Sequence, residues 1–411
     1  MAHDCGDVAH GGKAPLLPLA SALAEYATRI RPLPAVTLKL GDALGCVLAA
    51  GAASQVDLPL FTQSAVDGYA LRSADAGGAL QLVGEVAAGA ASMPTVGAGE
   101  AVRIFTGGAL PPGADTVARQ EIVRRDGDRI RIEGALAADV DIRHRGEEIR
   151  SGDPIAQAGQ RLHSGLLSAL AMAGVTTVSV RPRPRVAVLV TGNEVAQPGE
   201  VLEAGRIHDA NGPLTRGWLA EQGYPLVQLR YVRDDYDSVV QALEEAAASA
   251  DLILSSGGVS VGDHDHLPKA AQQAGFERVF WKVAQKPGKP IWYGMRGNTP
   301  LLALPGNPAA VLIGLHVHAI RALQLLEGID RPAPLWRNGL LASEFRADRL
   351  RDSLLRVRVD YADDGRLLLH RLGRQDSHML SNLAQADGLA WLPAGETPMP
   401  AGAACRWIPL R

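Results

Sequence analysis

The run Val186–Val190 is apolar without a break, and it opens a stretch in which strand-like and helix-like patterns alternate. A strand covered by helices on both faces reads as continuous apolar sequence, so this run predicts a parallel α/β sheet. Asn211 can cap a helix to Gln222, with Pro213 in its first turn, and Gly223 ends it before a strand through Leu226–Val232. A second helix, about Ser238–Ala248, leads into the strand Asp251–Ser255. Leu301–Leu304 forms another buried strand, and Asn307-Pro308 opens a long helix through Leu326 that Gly328 can close.

This unit, 184–330, leaves room for further domains in a chain of 411 residues, at roughly 150 residues each. Leu19, Leu23, Ala27 and Ile30 share one face of a helix over Pro18–Ile30, with Ser21 a candidate cap for a slightly later start. Between Asp57 and Arg150, short β-like runs such as Ala101–Thr106 and Asp115–Glu121 alternate with Gly/Pro clusters, including Gly107–Gly113. Ser164–Ala173 then reads as a helix stopped by Gly174. The expected division is a helical linker region formed by 15–56 plus 150–183, a β-rich inserted domain over 57–149, the α/β domain, and a C-terminal β domain over 331–411. Strand candidates in the last are Leu354–Val359, Arg366–Leu372, Leu389–Leu392 and Cys405–Ile408.

Lys plus Arg total 41 and Asp plus Glu 44, and the net charge of -3 provides no global attraction to nucleic acid or anionic membrane. An anion site must therefore be local. Cys5, Cys46 and Cys405 lie too far apart in sequence for a metal knuckle or redox dithiol, which fits a reducing compartment. The opening MAHDCGDVAHGGKAP has no apolar h-region, and no apolar run approaches the roughly 18 residues of a membrane span. A soluble, unexported, cytoplasmic protein is expected.

In open parallel sheets ligands bind outside the carboxyl ends of the strands. Four loops fall there: Thr191-Gly192-Asn193-Glu194, Asp234-Asp235, Ser255–Asp265 with the sequence SSGGVSVGDHD, and Leu304-Pro305-Gly306-Asn307-Pro308. Gly257, Gly258 and Gly262 allow consecutive N–H groups to face inward, and Ser255, Ser256 and Ser260 offer hydroxyl donors to phosphate oxygens. A plain tight connection is the competing reading. Gly306-Asn307-Pro308 leaves a helix N-terminus whose free N–H groups favour phosphate, although a helix start needs no ligand to explain it. Glu194, Asp234 or Asp235, and Asp265 are carboxylates on three loops of one face, an arrangement suited to hydrated magnesium. Helix capping is the alternative for Asp234-Asp235. The alternating Asp263-His264-Asp265-His266 invites a transition-metal reading, against which solvent-facing histidines are favoured because residues two apart on a loop need not converge. Lys282, Lys286 and Lys289 place positive charge beside Pro-Gly punctuation, where ammonium groups can meet an oxyanion or form a solvated hairpin. Ser64–Ala70 and Thr106-Gly107-Gly108 are ambiguous between ligand loops and ordinary turns. Arg143–Glu148 reads by charge alone as a surface turn.

Taken together, SAVDGYA (64–70), RIFTGGALPPGADTVARQE (103–121), IRHRGEEI (142–149), VTGNE (190–194), SSGGVSVGDHD (255–265), KPGKP (286–290) and LPGNP (304–308) resemble the molybdopterin molybdenumtransferases, or molybdenum insertases, whose relatives include the E domain of gephyrin. The resemblance runs from about Pro18 to Leu410. It implies an elongated homodimer of four-domain subunits ending in a β-barrel. It also implies insertion of molybdate at the dithiolene sulfurs of adenylylated molybdopterin, with magnesium-assisted release of AMP. On that likeness Asp265, Glu194 and Asp234, the carboxylates read above as magnesium ligands, are acidic active-site positions, with Asp235 the alternative to Asp234 and Asp265 serving the insertion step. Lys286, Lys289, Arg356 and Ser377 hold molybdate, and Pro305 and Pro308 shape the adjacent loop. Asp67 and Thr106 belong to a module that reaches across to the partner subunit. Transient contacts with other cofactor-biosynthesis proteins and acceptor enzymes are implied, but none with nucleic acid or membrane. Three departures stand out: Glu148 where a shorter Asp is familiar, the two histidines at 264 and 266, and Arg119 within an otherwise apolar strand. The same fold serves as a receptor-clustering scaffold in some relatives, but no long Pro/Ser-rich linker or second α/β copy points to that role here. Tungstate, nearly identical to molybdate in size and charge, is not separated from it by sequence.

Overall fold

The strand Val186–Thr191 is buried along its whole length and sends alternate side chains to opposite faces of a six-stranded sheet. Val186, Val188 and Val190 join Trp218, Leu219, Val311 and Ile313 on one face. Ala187 and Leu189 meet Val239, Ala242, Leu243, Ala246 and Ala270 on the other. Each Val or Leu so buried contributes roughly 1.5–3 kcal/mol, which explains the unbroken apolar run. The chain is seen here as a computed structural model describing residues 16–90, 92–259, 266–379 and 381–410.

The sheet order is Leu226–Val232, Val186–Thr191, Leu252–Ser256, Thr299–Leu304, Trp292–Arg296, Glu277–Trp281. The first four strands are mutually parallel, as expected. The last two run antiparallel and extend the sheet into a mixed one, with the lysine loop connecting them. Sequence reading missed both because Glu-Arg-Val-Phe-Trp and Trp-Tyr-Gly-Met-Arg carry no clean period. The helices are Asn211–Gln222, Tyr236–Ser249, Leu267–Gln273 and a long one, Pro308–Glu327, that passes through a π turn at Leu315–Ala319. By length and composition that long helix could cross a membrane, with a mean hydropathy of 1.6, but 78% of its apolar window is buried inside the protein. The expectation that no segment reaches span length is corrected at this helix. His316, His318 and Arg321 interrupt the apolar letters without lowering the average far enough.

The N-terminal helix Leu19–Arg29 starts directly after Pro18, so Ser21 lies inside it rather than capping it. Its residues Leu19, Ala22 and Tyr26 pack into the same core as the long helix. The strand Val36–Lys39 pairs with Thr177–Arg181, and Ala52–Ala53 pairs with Pro154–Ala156. Chain from either side of the intervening β segment is thereby joined. That segment forms its own mixed six-stranded sheet, from Thr116–Arg119 at one edge to Val123–Asp126 at the other. At the C-terminus, Asp352–Tyr361, Leu367–Arg371, Arg337–Leu341, Ala404–Pro409 and Gly388–Leu392 pair in that order, and the last returns to the first, closing a five-stranded barrel. Arg337–Leu341 went unpredicted because only Gly339 and Leu341 are buried in it, which leaves no apolar alternation to read.

The long helix ends in a buried ion pair. Arg161 donates to both carboxylate oxygens of Glu327, at 2.9 and 2.6 Å, and the Tyr224 hydroxyl donates at 2.8 Å. Arg183 stands 3.7 Å away, and the Glu327 side chain is fully buried. Arg161 and Arg183 flank the helix Ser164–Met172 and the strand Thr177–Arg181, so this clamp fastens that stretch to the end of the long helix. Breaking a buried pair from one side leaves an uncompensated charge, so Glu327→Ala should lower the unfolding free energy by about 3–5 kcal/mol in urea titration; a loss under about 1 kcal/mol would show that solvent already screens the pair.

Burial keeps His318 neutral, pushing its pKa from 6.5 down to about 3. An unfolded chain takes up a proton here as the pH falls below that ordinary value while the native chain does not. Stability from this residue is therefore complete above pH 6.5 and declines by about 1.4 kcal/mol per unit below it, down to the native pKa. Urea unfolding of wild type and His318→Gln at pH 7.5, 6.5 and 5.5 should show their stability difference shrinking across the lower interval, and a constant difference would contradict a neutral buried imidazole.

Candidate active site

The carboxyl ends of Val186–Thr191, Leu252–Ser256 and Thr299–Leu304 open into a cleft of about 650 Å³. All four loops singled out in the sequence contribute to its lining, through Thr191, Gly192 and Glu194, through Asp234, through Ser256–Val259, and through Pro305–Pro308. Gly257 sits at φ +93°, and a Cβ there would lie 2.6 Å from the Thr191 carbonyl oxygen. Only glycine lets the strand end turn this close to its neighbour. Its N–H donates to the Leu304 carbonyl at 3.1 Å, holding the Ser/Gly turn against the Leu304–Pro308 loop. Gly258 follows in the same left-handed region and also lines the cleft.

The two neighbouring aspartates separate by role. Asp235 caps the helix Tyr236–Ser249, its carboxylate accepting from the Ser238 N–H at 2.9 Å. That bond is the main reason its carboxyl is held below the ordinary range. Asp234 lines the cleft with Glu194.

Asn211 is not the cap expected of it. It is the first residue of its helix, and the buried Asp209 carboxylate accepts from the N–H groups of Asn211, at 2.8 Å, and Gly212, at 3.0 Å. Asp209 also accepts from the Tyr231 hydroxyl at 2.9 Å, and the Tyr231 pKa is pushed up to about 12, by burial first and by this carboxylate second. The freed Asn211 amide donates to the Gly306 carbonyl at 2.7 Å, tying one cleft wall to another. Its Oδ1 and the Ser256 hydroxyl are buried without a hydrogen-bond partner among the described residues, which leaves polar atoms for a ligand beside the cleft. Asp209 and Asn211 are site residues that the sequence reading missed. An Asp-Ala-Asn-Gly run ahead of a helix was signal enough for a cap, but not for which residue caps.

The helix N-terminus at Pro308 faces the same space. Asn307 occupies the cap position without a capping bond, and its amide nitrogen donates to the Ser377 hydroxyl of the barrel at 2.8 Å. His378, next along, reaches the cleft. Arg356 lies beneath this segment, 1% exposed, donating to the carbonyls of Arg374 and Asp376 at 3.2 Å each, with Nε unpartnered among the described residues. Its burial lowers the guanidinium pKa, and Asp376 offsets part of that.

The lysines border the cleft rather than line it. Lys282 stacks over the Trp281 ring at 4.4 Å, Lys286 stands 3.5 Å from Asp348 of the barrel, and Lys289 closes the loop through its carbonyl, which accepts from Val283 and Ile291. Pro290 of the same loop reaches the lining. In the β-rich sheet, Asp67 accepts from both the N–H and the hydroxyl of Thr106 at 2.8 Å, and neither residue lines this cleft. A second, more open cleft of about 760 Å³ is lined by Leu58–Phe61, Arg143, Glu147 and Glu148. Ser260, Gly262, Asp263, His264 and Asp265 lie outside the described residues, and His266 stands just before the helix Leu267–Gln273. Among the described residues no group of three His, Cys, Asp or Glu side chains is placed to hold a metal ion. Glu194 and Asp234 nonetheless offer oxygen donors to one space, which suits a hydrated divalent cation completed by ligand oxygens.

Three family models match the chain in order. They are the MoeA N-terminal region (domain I and II) over residues 17–174, a probable molybdopterin binding domain over 187–325, and the MoeA C-terminal region (domain IV) over 338–410. A molybdopterin molybdenumtransferase of Staphylococcus aureus is 30% identical over 393 residues, 94% of each chain. One of Staphylococcus epidermidis is 30% identical over 374 residues, 89% of each. Two solved structures of a molybdopterin biosynthesis MoeA protein from Pyrococcus horikoshii superpose with TM-scores of 0.79 and 0.80, at 26% and 24% identity, covering 96% of this chain and 99% and 100% of theirs.

The division of labour among the aspartates is open to direct test. Asp235→Ala should cost about 1 kcal/mol as a lost cap, and Asp209→Ala about 2–3 kcal/mol because it also strands the Tyr231 hydroxyl. Equal losses in urea unfolding would remove the distinction.

Proposed function

We propose, from the premise that this chain belongs to the MoeA family of molybdopterin molybdenumtransferases, that it inserts molybdate into adenylylated molybdopterin and releases AMP in the cleft at the carboxyl ends of the parallel strands. Membership carries a transferase role in molybdenum cofactor biosynthesis. The finer reading is supported by one convergence: the Ser256–Val259 turn and the Pro308 helix start meet Glu194 and Asp234 in a single cleft, with the lysine loop at its edge. An amide-rich turn and a helix N-terminus suit a nucleotide phosphate. Carboxylates opposite them suit a cation that takes its remaining ligands from phosphate oxygens.

Glu194 and Asp234 would hold magnesium, together with Asp265 on the segment that follows Val259. Magnesium bound there supplies charge neutralisation at the phosphoanhydride. A carboxylate of this set, Asp265 first, would move the proton that bond cleavage and insertion require. Lys286 and Lys289 would hold the molybdate dianion by charge-assisted hydrogen bonds, and Arg356 would add its charge from beneath the Ser377 segment. Asn211 and Ser256 carry polar atoms free for the pterin nucleotide. Asp67 and Thr106, outside the cleft of their own chain, would serve the cleft of a second copy in a homodimer.

Purified protein given adenylylated molybdopterin should release AMP only when both molybdate and magnesium are present. Asp265→Asn should lower turnover by about 10²–10⁴-fold with the far-ultraviolet circular dichroism spectrum unchanged. Mixed with Asp67→Ala, each variant inactive alone, it should regain activity through the one intact composite site of a mixed dimer. Wild-type turnover in Asp265→Asn contradicts the assignment of that residue, and failure of the mixture to recover contradicts the shared site.

A further inference from the structure

Beneath the lysine loop lies a set of buried polar side chains that the cleft does not use. Tyr26, His318 and Gln285 are each fully buried. The Tyr26 hydroxyl is 3.0 Å from His318 Nδ1, His318 Nε2 is 2.8 Å from Gln285 Oε1, and Gln285 Nε2 donates to the Pro287 carbonyl at 3.2 Å. One proton arrangement satisfies all of these bonds. The amide oxygen can only accept, so Nε2 carries the proton, Nδ1 accepts from Tyr26, and the amide nitrogen is left to donate to Pro287. His318 stays neutral in this setting. It stands in the π turn Leu315–Ala319, a local departure from α geometry of the kind often found near functional sites.

Polar side chains in an apolar core carry a desolvation cost that Leu or Phe would not. What they supply here, and an apolar side chain cannot, is a hydrogen bond onto the backbone of the loop 286–289. The loop is shaped around that amide. Gly288 turns at φ +93°, where a Cβ would meet Gln285 Nε2 at 2.7 Å. Gln285 and Lys286 also pair with Asp352 and Ser353 of the barrel, and Lys286 stands 3.5 Å from Asp348.

We infer that Tyr26, His318 and Gln285 form a positioning relay that holds the Lys286–Lys289 loop in its oxyanion-receiving shape, so that molybdate affinity is set in part from the N-terminal helix across the core. This rests on the reading of Lys286 and Lys289 as the molybdate-holding cations. None of the three relay residues lines the cleft.

The full-length protein carrying Gln285→Met, which keeps side-chain length and loses every hydrogen bond, is compared with Tyr26→Phe, which loses one hydroxyl. In Gln285→Met, hydrogen exchange over residues 283–291 should quicken by roughly tenfold while the strand Leu252–Ser256 keeps its protection, and the molybdate KM should rise by about the same factor with kcat at saturating molybdate unchanged. Tyr26→Phe should move both readouts the same way by less. Unchanged exchange, or a parallel fall in kcat and thermal stability with no KM shift, overturns the relay. Lys286→Ala and Lys289→Ala run beside it. If they raise the molybdate KM and Gln285→Met does not, the relay is wrong and the lysine reading stands; if none of the three raises it, both fall.

Discussion

The helix from Pro308 to Glu327 is apolar around most of its circumference, and such a helix is stable in water only when the rest of the chain covers it. The parts that cover it are thereby fixed relative to one another. Val186, Val188 and Val190 of the sheet share its apolar core, as do Leu19, Ala22 and Tyr26 of the N-terminal helix. Its C-terminal residue, Glu327, is held by Arg161 and Tyr224. At its other end Asn307 is bonded to Ser377 of the barrel. The ion pair adds direction to this arrangement, because a buried carboxylate tolerates only a partner of opposite charge in good geometry.

The position of the cleft follows from that arrangement. A helix buried to its first turn presents its free N–H groups inward, beside the ends of parallel strands whose loops already converge. The Asn211 amide and the Gly257 N–H stitch those loops to the segment before the helix, at Gly306 and Leu304. The site is thus a by-product of packing, made chemically specific by the few side chains the loops carry.

Much of this was legible in the sequence. Unbroken apolar runs report strands covered on both faces, and Gly223 and Gly328 ended their helices as expected because both adopt left-handed φ. The four loops could be placed on one face because strand direction in a parallel sheet determines where they emerge. Other features depended on tertiary partners that no local pattern encodes. Asp234 and Asp235 are adjacent and identical, and only the register of the helix that follows decides which one caps it. Asn211 is the first residue of its helix and Asn307 sits at a cap position, and both commit their amides to distant partners. The full burial of Arg356 and the stacking of Lys282 on Trp281 are likewise invisible to spacing, since a cation in a sequence reads as exposed until a neighbour covers it. The two antiparallel strands were missed for a related reason: Phe280 and Tyr293 pack on Tyr26 of the N-terminal helix and Trp292 joins Ala270 and Ala271 on the opposite face, partners that lie far away in sequence for the first face and that leave no clean period in so short a run.

On the proposed function, the cleft between Gly257 and Asn307 receives the oxyanion and the pterin nucleotide. Crystals of the full chain grown with the adenylylated pterin and molybdate, with diffraction recorded on either side of the molybdenum absorption edge, test it most directly. One anomalous peak per cleft is expected, between the Gly257–Gly258 turn and the Lys286–Lys289 loop, with nucleotide density at the Pro308 helix start. A molybdenum peak in the second cleft, beside Arg143 and Glu148 of the same chain and away from those loops, would contradict it.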